Sequence, residues 1–599
     1  MPLSLSDRVY VLDGADTHGP DVVGGKGASI ARMLSLGLRV PPAFVLPIEE
    51  CRRYRAAGGR LDDGVWKAVL AGVGGLEQAT GRRLGDPSSP LLVSVRSAAA
   101  VSMPGMMDTI LNLGMTDAVE AGLASLSGDS AFARTTHVRF IQEFGHTVLG
   151  AHIAPPGSQA RADEVRAAIL AETGAEVSTH PLDQLRAAIL AVFGSWSSRR
   201  AVAYRRHWGI DEDGGTAVVV QAMVFGNLGQ RSGTGVLFTR DPLSGAAEPY
   251  GEWLAGGQGE DVVSGTHDPS PLSALRDELP EVHDELLAAG RLLESEYADV
   301  QDIEFTVERG RLYLLQARSA KRSPLAAVRT AVDLVAERLI DPATALGRIS
   351  ADQLASVLAP RLHESTIAGA EVLARGTPAC PGVAAGTVVC DAEAADTASE
   401  DVVLARPTTS PEDIAGMIAA CGVVTEHGGS TSHAAVVTRA LGRPSVVGVG
   451  EGVTAGWSGR KVTVDGSSGV VYASVLPTET VRSQDVPGLD RIIEWAQQLC
   501  PVEVVEDAPE VFDLDAAGLS VDAEIDPEEL VELLRGAPAA SGSLLATPEG
   551  ARAVRRAGVP VVVRLPGLQT AVMLLALVQA GRDGRQARGA RHTTEEKEQ

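Results

Sequence analysis

Residues Thr425–Gly450 read TEHGGSTSHAAVVTRALGRPSVVGVG, with two histidines, adjacent glycines and a run of hydroxyls ahead of an apolar helical stretch. Ser430, Thr431 and Ser432 are residue types that cap helix N-termini, and AAVVTRAL forms a short helix. Gly442 suits the left-handed position beyond the last turn, and Pro444 stops any continuation. His433 therefore falls in the first helical turn. Unpaired backbone N–H groups and the positive end of the helix dipole disfavour imidazolium there and favour an arriving anion. A neutral imidazole at such a spot is a candidate phosphoryl acceptor, acting through an N-phosphohistidine. Gly428 and Gly429 let backbone approach the phosphate closely, and the hydroxyls of Thr431 and Ser432 can donate to its oxygens. On this pattern alone the alternative, a capping or half-buried polar histidine, stays open. His427, in the loop before the glycines, reads as a neighbour rather than the nucleophile.

Outward from this stretch, segments such as AAGTVVCD, DVVLARP, KVTVDG and GVVYA alternate as strands with helices, giving a domain over residues 376–476. Upstream, residues 1–345 mix helical patterns with β-branched runs such as LLVSVRS and TAVVVQAMV, an α/β region. The amphipathic run from Leu325 to Ile340 and the helical DQLASVL lead into a helical linker over 346–375, and the segment Arg329–Leu358 is the expected hinge. Residues 477–580 form a shorter α/β region containing the strand-like VPVVV, and the polar tail 581–599 is expected to be disordered.

The whole-chain composition agrees. At 599 residues and 45% hydrophobic content the chain exceeds one core and supports about three or four domains. A net charge of −25 argues against nucleic-acid binding, although a few converging arginines can still hold a small phosphate. The five cysteines form no CxxC pair, which argues against a disulfide framework or zinc site and points to a reducing cytoplasm. No leader or membrane span is legible.

Other segments supply what a nucleotide needs. In QDIEF, read as a strand, Asp302 and Glu304 are two apart and share a face, giving carboxylates that can hold Mg²⁺ against phosphate oxygens. The partner run RLYLLQAR places Gln316 and Arg318 in the same way, completing a phosphate platform. Lys26 in GGKGA and Arg96 in SVRS provide cations, and Thr234 lies between glycines where its hydroxyl can reach a phosphate. VVVQAM suits an adenine slot. SMPGMMD reads equally as a flexible flap or as methionine core filler.

GGSTSHAAVVTRALGRPSVVG resembles the phosphohistidine segment of the phosphoenolpyruvate (PEP)-utilising enzymes, most closely the pyruvate, phosphate dikinase family. GGKGASIARMLSLGLRVPPAF, LLVSVRSAAAVSMPGMMDTILNLG, VFGNLGQRSGTGVLFTRDPLSG, YGEWLAGGQGEDVVSG and VQDIEFTVERGRLYLLQARSAKR resemble that family's ATP-binding region in the same order. The resemblance implies an ATP-grasp nucleotide-binding region, a swivelling β/β/α phosphohistidine domain and a short α/β C-terminal remnant. It places Lys26, Arg96, Thr234, Glu260, Asp302, Glu304, Gln316 and Arg318 at the nucleotide site, with Gln221 and Met223 in its adenine segment. Mg²⁺ would lie on Asp302, Glu304 and Gln316.

The implied reaction is phosphorylation of His433 by ATP with inorganic phosphate, releasing AMP, and a swing of the histidine domain towards pyruvate or another acceptor. The family's pyruvate site is a (β/α)₈ barrel of about 250 residues, and the sequence ends at residue 599, too soon after Leu476 to hold one. Onward transfer, to or from phosphoenolpyruvate, is therefore expected to need a partner chain. Two alternatives stand beside this: an ATP-dependent phosphotransferase with a different small-molecule acceptor, and a non-catalytic nucleotide-binding regulatory paralogue. Thr431 also matches a position that regulatory kinases modify in some relatives, where plain capping explains the residue equally well.

Overall fold

Strand alternation decides where the charged residues of the N-terminal half can meet. A computed structural model describes residues 8–580 except 16–17, 102, 104–105, 155–156, 158–159, 208, 263–268, 359–360, 363, 430–431, 480, 482–484, 520–524 and 566–568. Two antiparallel five-stranded sheets build this half. The first has the spatial order Tyr10–Leu12, Ala43–Leu46, Thr216–Ala222, Val93–Ala99, Thr109–Leu113. The second runs Ser270–Pro271, Tyr250–Ala255, Gly233–Phe238, Gln301–Glu308, Arg311–Ser319. Thr216–Ala222 is buried at every position, which is why TAVVVQA reads as a continuous apolar run rather than an alternating one. Helix Pro20–Ser35 packs on both Val93–Ala99 and Arg311–Ser319 and so ties the two sheets together.

The histidine-bearing domain is an eight-stranded mixed sheet. Its centre is parallel: Val383–Val389, Val402–Arg406, Gly422–Thr425 and Ser445–Val447 run side by side in that order. Residues 383–389 alternate half-buried and buried, as a strand with one covered face should. The C-terminal region is a four-stranded parallel sheet, Glu503–Val505, Val561–Val563, Ala539–Ser541 and Phe512–Asp513, with helices Leu489–Leu499, Pro527–Leu534 and Pro548–Ala557. The mixed α/β, multidomain architecture agrees with the sequence reading, including the α/β character of residues 477–580. The tail 581–599 lies outside the described residues.

Two boundaries differ from the expectation. Val372–Arg375 pairs with Val470–Tyr472 as the edge of the eight-stranded sheet, so the histidine domain starts before residue 376. The expected hinge is also no free tether. Val328, Leu346 and Leu354 share one hydrophobic core with Leu489, Leu545 and Val562 of the C-terminal region. The apolar spacing of Leu325–Ile340 does make a helix, Pro324–Ala336, and its buried face is covered by residues far away in sequence. Asp341 caps the helix that follows, Pro342–Gly347, accepting from the Thr344 N–H at 2.6 Å. What connects the histidine domain to the rest is a two-stranded pairing, Arg361–Leu362 against Thr478–Glu479.

Candidate active site

A cavity of about 980 Å³ lies between the two N-terminal sheets, with the histidine domain closing one side. Its floor follows from register. On Gln301–Glu308, Asp302 stands opposite Arg318 and Glu304 opposite Gln316, so strand alternation delivers all four side chains to the cavity. Arg318 Nε donates to Asp302 Oδ2 at 2.9 Å. From the facing sheet, Arg96 donates to Glu304 Oε2 at 3.0 Å and to Gln316 Oε1 at 3.3 Å. Lys26, on the helix between the sheets, also lines the cavity.

The two carboxylates differ electrostatically. Burial pushes the Asp302 carboxyl up, with Arg318 opposing. For Glu304 burial acts in the same sense, but Arg96, Arg318 and Lys26 together outweigh it and hold the carboxyl below its usual range. Asp302 Oδ1 is buried without a hydrogen-bond partner. Two carboxylates and an amide oxygen are the hard donors that Mg²⁺ takes, so the residues fit the ion. Among the described residues no set of three His, Cys, Asp or Glu could hold a metal. An ion here would therefore complete its shell with water and phosphate oxygens.

His433 opens helix His433–Leu441, with Ser432 as N-cap accepting from the Ala435 N–H and Gly442 left-handed at the far end, as expected. Its ring lines the cavity, Nδ1 lies 3.3 Å from Thr409 Oγ1, and Nε2 is buried with no hydrogen-bond partner. Burial pushes the imidazole below its ordinary range, opposed by the Asp413 and Glu412 carboxylates. Gly428 has φ +111°. Gly429 faces the second sheet, where a Cβ would come within 2.9 Å of Glu252 Oε1.

Docking of the histidine domain rests on several contacts. Arg200 pairs with Asp108 on its own side and with Glu412 across the junction at 2.9 Å, and the Arg439 guanidinium sits 5.9 Å from the Phe238 ring centroid. These hold His433 against the cavity.

Other expected site residues lie in the cavity wall but are committed elsewhere. Thr234 Oγ1 donates to the Phe305 carbonyl at 3.0 Å rather than pointing at a phosphate, because the hydroxyl sits inside the sheet. Gln221 gives its amide to the Pro41 carbonyl at 3.1 Å, and the Met223 N–H donates to the Leu92 carbonyl at 2.9 Å. Of SMPGMMD, Met103 and Met106 are buried in the core, which favours the filler reading, while Met103 and Met107 also line the cavity. Glu260 falls in the turn Gly259–Asp261, but its side chain lies outside the described residues, as does Thr431. His427 is half-buried, bonds the Pro407 carbonyl through its N–H, and does not line the cavity.

Sequence reading missed the loop Thr408–Ser410, which lines the cavity beside His433. The signal was present: TTSPED is a hydroxyl-rich turn after a strand, and ligands gather at the carboxyl ends of parallel strands. Val402–Arg406 and Gly422–Thr425 are parallel neighbours, so the loops that follow them must meet. That brings Thr409 to His433.

Residues 60–280 match the pyruvate phosphate dikinase AMP/ATP-binding domain, and residues 398–469 match the mobile domain of PEP-utilising enzymes. The chain is 46% identical over 453 residues to pyruvate, phosphate dikinase 1, chloroplastic, of Oryza sativa subsp. japonica, covering 72% of this chain and 48% of the relative. It is 39% identical over 552 residues to the Arabidopsis thaliana chloroplastic enzyme, covering 85% and 57%. With the pyruvate, phosphate dikinase of Clostridium symbiosum it shares 38% over 538 residues, covering 84% and 61%. The chain thus spans about half to three-fifths of the length of these curated relatives. With Lys26, Arg96, Glu304, Arg318 and His433 lining one cavity, the chain carries the AMP/ATP-binding and mobile domains of the pyruvate, phosphate dikinase family of PEP-utilising enzymes.

Proposed function

We propose that this protein is a dikinase-type phosphotransferase in which ATP phosphorylates His433. One observation carries the reading: Nε2 of a buried, neutral-leaning imidazole has no hydrogen-bond partner and lines the cavity that holds Lys26, Arg96, Glu304 and Arg318. With the proton on Nδ1, donated to Thr409 Oγ1, the lone pair is on Nε2. It attacks the β-phosphorus of ATP, the bond to the α–β bridging oxygen breaks, and AMP leaves. The terminal phosphoryl then passes to inorganic phosphate, forming pyrophosphate, and His433 keeps the other.

Arg96 and Lys26 offset the charge on the transferring oxygens and Arg318 orients Asp302, while Gly428, Gly429 and Ser432 do not line the cavity and Ser432 Oγ accepts from the Ala435 N–H. Mg²⁺ on Asp302, Glu304 and Gln316 would supply charge neutralisation between the phosphates. The histidine domain then leaves the cavity, turning about its connections at Arg361–Leu362 and Thr478–Glu479, and delivers the group to pyruvate or another acceptor on a partner chain or further domain. No observation favours the acceptor-variant or non-catalytic alternatives. No helix among the described residues is long and apolar enough to cross a membrane, and a cytoplasmic setting is part of the proposal.

Incubation with β-labelled ATP, Mg²⁺ and phosphate should give acid-labile protein label together with stoichiometric AMP. AMP release without protein label would overturn the reading.

Two predictions concern the imidazole directly. Thr409→Val removes the acceptor for Nδ1–H, so the labelling rate should fall about tenfold with the KM for ATP unchanged, and Thr409→Ser should recover most of it. Equal loss in both variants would mean Thr409 acts only by packing. The second concerns pH. Because the folded imidazole titrates below its ordinary range, the reactive neutral form persists on acidification, and single-turnover labelling should decline only as pH falls through that lowered value. A profile that already falls at the ordinary imidazole pKa of about 6.5 would contradict this.

A further inference from the structure

A second cavity, of about 1520 Å³, opens where four parts of the chain meet. Lys321 and Arg322 follow strand Arg311–Ser319, Arg348 joins the helices Pro342–Gly347 and Ala351–Val357, Arg443 follows the histidine helix, and Arg555 lies on helix Pro548–Ala557. Charge here runs against the rest of the molecule. The chain carries −25 overall, yet seven lysine and arginine side chains line this cavity against one carboxylate, Asp352.

Some of these cations are matched from outside the lining. Asp299 pairs with Arg322 at 2.7 Å and with Arg348 at 3.4 Å, and Glu549 pairs with Arg552. Among the described residues Lys321 and Arg555 make no ion pair, and the Arg443 guanidinium donates to a neutral acceptor, the Ile418 carbonyl, at 3.0 Å. Lys321 is half-buried, and burial together with the adjacent Arg318 and Arg322 pushes its ammonium below the usual range, a position that a bound anion would relieve. The positive ends of helices Pro324–Ala336 and Pro548–Ala557 reach the same space through Pro324 and Pro548.

We propose that this cavity binds a small polyanion, a molecule with two or more phosphate or carboxylate groups, held between Lys321, Arg443 and Arg555. Ligand pockets commonly measure about 300–1,000 Å³, so a nucleotide-sized anion has room. Arg443 belongs to the histidine domain while Lys321 and Arg555 do not. An occupant therefore ties the mobile domain to the two parts it must leave, and favours the docked arrangement over any other. Binding needs no chemistry at His433 and stands whether or not phosphoryl transfer occurs there.

Titration calorimetry of the full chain, without Mg²⁺ and at low salt, tests this with tripolyphosphate and citrate as separate probes. An Arg96→Ala background weakens anion binding in the nucleotide cavity. In that background at least one probe should bind, with a Kd that rises about tenfold when Lys321→Gln or Arg443→Gln is added. Arg443→Lys should keep most of the affinity, which separates loss of charge from loss of fold, and the exposed Arg52→Gln should change nothing. Binding of tripolyphosphate alone supports a phosphate-bearing ligand, and binding of citrate alone a polycarboxylate. If neither probe binds, or if both glutamine variants bind as well as their parent, the site is not an anion site.

Discussion

Replacement of His433 by alanine is expected to slow AMP formation from ATP by about 10⁴-fold or more while leaving fold and nucleotide binding in place. The chemical half follows from the loss of the only side chain that forms a bond to phosphorus in the proposed reaction. The structural half is less usual for a buried residue. Nε2 already lacks a hydrogen-bond partner, so truncation removes an unsatisfied polar atom, and the Nδ1 contact to Thr409 is a single bond to a hydroxyl. Alanine is also the best helix former, and Ser432, the cap of that helix, is untouched. The melting temperature should therefore stay within a few degrees of the parent.

ATP affinity should hold as well, because the cations and carboxylates of the cavity floor lie on other elements. Rapid-quench measurement of AMP, alongside an ATP titration and a thermal melt, checks all three. Should the His433→Ala protein still release AMP near the parent rate, water rather than the imidazole is the acceptor, and the dikinase mechanism is lost.

How much of this could be read beforehand depended on the kind of signal. The period of two in QDIEF and RLYLLQAR fixes which side chains share a face, and the structure places Asp302, Glu304, Gln316 and Arg318 together for that reason. Cap chemistry placed His433 at a helix start equally well. Partners were harder. Thr234 and Gln221 lie in the cavity wall, but periodicity does not say that a neighbouring carbonyl, Phe305 or Pro41, will take the hydrogen bond. The helical segment Arg329–Leu358 showed an apolar face without showing what would cover it, and the cover comes from residues more than a hundred positions away. Thr409 needed the order of parallel strands, which no local pattern carries. Local geometry was legible, and contacts between distant segments were not.

The second large effect concerns a glycine whose importance is backbone rather than chemical. Gly24 interrupts helix Pro20–Ser35 with φ 71° and ψ 163°, a conformation open essentially to glycine alone. A Cβ at this position would lie 1.8 Å from the Ala98 carbonyl oxygen and 2.5 Å from its carbon. Those atoms are main chain in Val93–Ala99, the strand that carries Arg96 and is bonded on both sides, so they cannot move aside alone. Gly24→Ala thus adds conformational strain of about 1–3 kcal/mol to a steric overlap that only a shift of helix against strand can relieve. Lys26 lies two residues beyond the kink and Arg96 two residues before Ala98, so the same shift displaces both cavity-lining cations.

The nucleotide-binding unit should melt roughly 6–12 °C lower, taking a combined cost of about 3 kcal/mol, and ATP affinity should fall by more than about tenfold. Gly25→Ala provides the contrast. Its Cβ would meet nothing closer than the Ala99 carbonyl oxygen at 3.5 Å, an ordinary contact, so the melt should hardly change. Scanning calorimetry of both variants with and without ATP separates the cases, and equal melting and equal ATP binding would show that the chain passes Gly24 by another path.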